Sequence, residues 1–198
     1  LCSSRDQTMK KVFLLFLLLP SIAVSETNSI LGYFEDRSYW LTMPHGFYQD
    51  GKTAQKIGAI FLLLPQGYNF NSSPAVIYSA VFSDKNVEEA INSDVKKFLS
   101  QSPSLTVNDA KSVTSHDGKT ILIKEFINPA SRQQPYESVA YIQEGNSVVT
   151  VVVSAFVKAN YEYILPEYMK MVSSYESADV KVKHNKSSKK DAASGASS

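Results

Sequence analysis

Val148–Val153, an apolar run broken only by Thr150, constrains the fold more than any other stretch of this 198-residue chain. It follows the turn residues Glu144-Gly145-Asn146, and that combination predicts a strand covered on both faces. Ile57–Leu64, closed by Pro65, predicts a second such strand. Layers on either side of these strands must come from elsewhere in the chain.

Four moderately alternating segments predict further strands: Ala75–Phe82, Ala110–Ser115, Thr120–Ile127 and Tyr136–Gln143. His116-Asp117-Gly118 joins one pair and Glu144-Gly145-Asn146 another, both as tight hairpins. Leu31–Met43 adds an N-terminal hairpin or packed arm. Two amphipathic helices are expected. The first begins at Asn86, with Glu89 three residues on as a capping box. It carries Val87, Ala90, Ile91, Val95, Phe98 and Leu99 on one face and Lys96 and Lys97 in its last turn. The second spans Asn160–Ser174 with Tyr161, Ile164, Leu165, Tyr168 and Val172 on one face, and Pro166 either kinks it or starts its second half. Hairpin-linked strands with one helix inserted and one at the end predict an α+β fold, a mainly antiparallel sheet flanked by helices.

The two ends of the chain differ from this body. Met9–Ser25, MKKVFLLFLLLPSIAVS, has two lysines, an apolar run shorter than the roughly 20 residues a bilayer span needs, and small residues up to Ser25, where a signal peptidase would cut. The expectation is an exported protein, periplasmic or extracellular, without stable membrane insertion after cleavage. Residues 1–8 then precede the true start and are not native, and Cys2, the only cysteine, is lost with them. Residues 178–198, rich in Lys, Ser and Ala, predict a disordered basic tail. Residues 26–56 form the aromatic-rich arm and 57–177 the sandwich core, one domain together. The near balance of 20 Lys+Arg with 19 Asp+Glu is a cancellation between a body of net −4, a tail of +3 and +2 on residues 1–25, so the body has no field suited to nucleic acid.

The order of elements from Ile57 to Tyr175 resembles the Mog1/PsbP-like group of α/β/α sandwiches, which includes extrinsic photosystem PsbP proteins, Ran-binding Mog1 and bacterial exported DcrB-type proteins. The resemblance rests on Leu64-Pro65-Gln66-Gly67-Tyr68 as a strand with a Pro-x-Gly-aromatic turn, the helix Asn86–Leu99, the SHDGK hairpin, the pair SVAYIQEGNSVVTVVVSAF, and the closing helix ending MVSSYE. Ser174-Tyr175 stands where that group often has Ser-Phe. The resemblance implies a binding or assembly module with no shared catalytic motif.

Candidate chemistry is sparse. Without cysteine, nucleophilic catalysis would need a histidine base, and the choices are His45, His116 and His184. His184 lies in the tail, His116 reads as a solvated hairpin residue, and His45, in TMPHGFYQDGK, reads as a loop residue in preference to a base. No catalytic residue, metal ligand set or cofactor is assigned: His pairs, calcium-loop spacing and Gly-rich phosphate loops are missing. Most aromatics of the N-terminal third read as core; a recognition patch, if formed, would use Trp40, His45, Tyr48 and Tyr68. The expected function is a non-catalytic binding or accessory protein recognising a protein or envelope component. The alternatives are a small secreted hydrolase using His45 and a binder of small apolar ligands.

Overall fold

A computed structural model describes residues 28–128 and 135–178. The signal segment with Ser25, Cys2, residues 1–8, and residues 179–198 with His184 lie outside the described residues; Ala178, the first residue of the expected tail, is described and ends a strand.

The elements follow in the order β1 (Ser29–Phe34), β2 (Arg37–Thr42), β3 (Phe47–Gln49), α1 (Gly51–Ile57), β4 (Phe61–Pro65), β5 (Val76–Phe82), α2 (Val87–Gln101), β6 (Thr106–Asp109), β7 (Val113–Thr114), β8 (Thr120–Ile127), β9 (Tyr136–Glu144), β10 (Ser147–Ala155), α3 (Lys158–Ser173) and β11 (Glu176–Ala178). An eight-stranded sheet runs β3-β4-β5-β10-β9-β8-β6, with β7 also on β8, and a three-stranded sheet runs β1-β2-β11. Every pairing is antiparallel, as the hairpin pattern predicts.

The apolar run of β10 lies between β5 and β9, and all nine residues of the strand are buried. One face of the large sheet, with Ile77, Val149, Val151 and Val153, packs against α3 and the small sheet through Tyr161, Ile164, Tyr168, Tyr39 and Leu41. The other face packs under α2 through Val139, Tyr141 and Val152, and under α1 through Leu62 and Leu64. Helices therefore cover both faces of the central sheet.

The structure corrects several local expectations. Ile57–Leu64 is not one strand: Ile57 ends α1, and the strand begins at Phe61. Asp50 caps the missed helix by accepting the Thr53 N–H at 3.0 Å, and Gly58 ends it in the left-handed region at φ 74°. The apolar Ile57, Ala59 and Ile60 hide that boundary in the sequence. Ala110–Ser115 is replaced by β6 and the two-residue β7, because a polar strand at a sheet edge is set by its pairing to β8 and leaves no apolar alternation. α2 has the expected capping box but runs on to Gln101, which leaves its last turn without a basic residue. Pro166 lies inside one continuous α3.

Candidate functional site

Two turns of the same chemical pattern sit side by side at one end of the large sheet. Pro44-His45-Gly46-Phe47 is closed by the Phe47 N–H donating to the Pro44 carbonyl at 3.3 Å, and Pro65-Gln66-Gly67-Tyr68 by the Tyr68 N–H donating to Pro65 at 3.2 Å. Gly46 and Gly67 take φ of 78° and 85°, the left-handed value this kind of turn requires at its third position. The turns are joined because β3 pairs with β4, and the Gln66 N–H donates to the Gly46 carbonyl at 2.8 Å. Tyr48 donates its hydroxyl to the Tyr68 carbonyl at 2.7 Å and so props the second turn.

The turns face α3 and leave two clefts that meet at His45, Gly46 and Phe47, which line both. One, of about 370 Å³, is walled by Pro65, Tyr68, Pro74, Tyr163 and Ile164. The other, of about 440 Å³, is walled by Met43, Gln66, Glu167, Lys170 and Ser174. The clefts follow the same helix, so together they form a groove that is apolar and aromatic toward the start of α3 and polar toward its end. Tyr163 is 85% exposed and Tyr68 47%. Most protein surfaces carry such side chains singly, whereas here two exposed aromatic rings line one cleft.

Of the four sequence-derived candidates, His45 and Tyr68 are brought together on the groove and Tyr48 supports it from below. Trp40 is elsewhere: it stands on the outer face of β2, level with Leu31 and Glu176, and lines neither cleft. Sequence reasoning missed Tyr163, although its place off the apolar face of α3 was a usable signal. It also missed the second Pro-x-Gly-aromatic turn at Pro44–Phe47.

His45 is exposed, and among the described residues no hydrogen bond or ion pair reaches its side chain. The acid or nucleophile that a histidine base needs beside it is not in contact there. His116 has a structural task that its hairpin position did not suggest. Its backbone N–H donates to the Tyr175 carbonyl at 3.1 Å, and its ring pairs with Glu176 at 3.3 Å. Beside it Lys119 joins Asp117, Glu144 and Ser177, and the Tyr175 hydroxyl donates to Glu144 at 2.8 Å. The SHDGK turn thus fastens β11 to the body.

A second polar cluster lies beneath α2. Tyr141 donates to Asp94 at 2.8 Å, and burial raises the Asp94 carboxyl above its usual range. Burial likewise pushes Glu137 up to about 7, aided by the Asp94 charge and opposed by the Ser154 hydrogen bond. Among the described residues no group of three or more His, Cys, Asp or Glu side chains could hold a metal ion, and no helix is long and apolar enough to cross a membrane.

No family model and no curated protein matches the chain. Among solved structures it is similar to cyanobacterial PsbP (CyanoP) from Synechocystis sp. PCC 6803, with a TM-score of 0.50 and 10% identity, covering 80% of this chain and 98% of that one. The Ran-binding protein Mog1p of Saccharomyces cerevisiae aligns with a TM-score of 0.47 and 10% identity, over 76% of this chain and 94% of its own. The chain has the Mog1/PsbP-like fold, an α+β sandwich of mostly antiparallel sheet with three helices among the described residues.

Proposed function

We propose that the chain is an exported, non-catalytic binding or accessory protein, periplasmic or extracellular, that takes a segment of a protein or envelope component into the groove along α3. The observation that carries the proposal is the pair of exposed aromatic rings, Tyr68 and Tyr163, facing one cleft on a rigid helix and a propped turn. Exposed aromatics over packed walls are the surfaces that supply binding energy at protein interfaces. The fold shared with CyanoP supports a binding role, and the leader at residues 9–25 supports export with cleavage after Ser25.

A photo-reactive phenylalanine at position 163 or 68, in cells that make the protein, tests the site. Crosslinks to one discrete polypeptide or envelope component are expected from those positions and not from Lys52, which is exposed on α1. Equal labelling from Lys52, or none from 163 and 68, would remove the groove from the proposal. Fractionation of the same cells tests export: the protein should be found in periplasm or supernatant, and retention in the cytoplasm of a shortened chain would overturn it.

A further inference from the structure

The small sheet ends on a strand with an unused side. β2 lies between β1 and β11, so β1 is paired along one edge only. Phe34 and Arg37 are partners across a two-residue turn, and the Met43 N–H donates to the Asn28 carbonyl at 2.8 Å. Hydrogen-bonded and non-hydrogen-bonded pairs alternate along an antiparallel ladder. The even-numbered residues of β1 therefore bond to β2, and the N–H and C=O groups of Ser29, Leu31 and Tyr33 point outward. Among the described residues nothing bonds them there.

The other sheet edges are blunted in the ways that discourage pairing. β3 and β11 have three residues each, and β6 ends in Asn108-Asp109, with Asp109 paired to Lys124. β1 has six residues in unbroken register, with no proline and no charged side chain from Ser29 to Phe34.

We infer that β1 is a homodimerisation edge, on which β1 of a second copy of this chain pairs antiparallel about Leu31. That register sets Leu31 against the partner's Leu31 and Ser29 against the partner's Tyr33. All three outward-facing residues are then used, giving about six hydrogen bonds, whereas a slip by two residues leaves one of the three unmatched within the strand and a slip by one sets them opposite residues whose N–H and C=O face β2. The choice of a second copy rests on charge and symmetry. A neutral strand meets itself without like-charge repulsion, and its outward-facing residues are arranged evenly about Leu31, as a two-fold interface requires. Leu31 is level with Trp40 on β2, so pairing extends one apolar strip from Trp40 across both Leu31 side chains to the partner's Trp40. That gives the exposed Trp40 a role separate from the groove, which neither Leu31 nor Tyr33 lines.

Sedimentation of the full chain, purified from the cells that make it, tests the inference. A dimer is expected at about 100 µM, with a dissociation constant in the micromolar range suited to a small interface. Leu31→Lys and Tyr33→Lys, both on the solvent face, should each weaken it at least about tenfold, with the melting temperature unchanged when measured well below that dissociation constant, where the chain is monomeric. Register is tested in a Cys2→Ser background. Leu31→Cys should crosslink to itself on mild oxidation, since directly opposed residues have Cα atoms about 5.5 Å apart. Ser29→Cys should crosslink only to a Tyr33→Cys chain. A monomer at about 100 µM, a dimer indifferent to both lysines, or self-crosslinking by Ser29→Cys in place of Leu31→Cys would overturn it.

Discussion

The carboxylate of Asp117 accepts both the backbone N–H of Ser177, at 3.1 Å, and its hydroxyl, at 2.9 Å. Asp117 belongs to the turn before β8 and Ser177 to β11, which follows α3, so one side chain ties the end of the described fold to its middle. Charge-assisted bonds of this kind are about twice as strong as neutral ones.

The Asp117 carboxyl is held at about 2. Burial acts to raise it, and the Ser115 and Ser177 hydrogen bonds with the Lys119 charge more than offset that. Because the folded value lies below the unfolded one, the contribution is present above about pH 4 and is lost as pH falls toward 2. Asp117→Asn is expected to cost about 1–3 kcal/mol at pH 7. In urea titrations the gap between the two proteins should narrow below pH 4, and a gap constant down to pH 2 would show that the charge is not responsible.

Glu137 has the opposite sign. Its folded value, about 7, lies above the ordinary 4.5 of a glutamate, so the folded state holds a proton that the unfolded chain releases, and stability declines from about pH 4.5 to 7. Glu137→Gln keeps the shape and a partner for Ser154 without the buried charge. It should raise stability at pH 8 by about 1–3 kcal/mol and have little effect at pH 4. Equal effects at both values would point to packing instead.

A methyl group at Gly32 would collide with Tyr39, its β-carbon falling 2.3 Å from the ring Cζ. The ring cannot swing away: it is fully buried, stacked on Tyr175 with centroids 5.2 Å apart, and its hydroxyl is 2.6 Å from Ser79 Oγ. Gly32→Ala should therefore cost about 1–3 kcal/mol. Thermal denaturation would register this as roughly 2–4 °C per kcal/mol, and an unchanged midpoint would mean that β1 can move off Tyr39.

Tyr163→Ala separates recognition from packing. At 85% exposure it should change stability by less than about 0.5 kcal/mol while abolishing the crosslinks proposed for the groove. Phe47→Ala, at a side chain 8% exposed, should cost about 3–5 kcal/mol. Destabilisation by Tyr163→Ala comparable to that of Phe47→Ala would make Tyr163 a packing residue.

Elements whose signals lie within a few residues were legible in the sequence. Asn86 and Glu89 form the reciprocal cap at 2.9 and 3.1 Å, β8 has the expected bounds Thr120–Ile127, and Gly145-Asn146 turns β9 into β10. α1 was illegible because a seven-residue helix with one buried side chain, Ala54, leaves no periodic face. The groove was half legible: the Pro-x-Gly-aromatic turn at Tyr68 could be read, but its neighbour at Phe47 gains meaning only once β3 pairs with β4.

By itself the sequence determined the fold class, because buried apolar runs, caps and tight turns are local consequences of side-chain chemistry and residue spacing. It also set the contrast between a mildly acidic body and its basic terminal stretch. Tertiary structure alone decided which exposed aromatics share a surface. It placed Tyr163 beside Tyr68, left Trp40 on another sheet, and turned the SHDGK hairpin into a clasp for β11. Those outcomes depend on strand order and on helix packing across the sheet, contacts between residues distant in the chain whose energies no local pattern encodes.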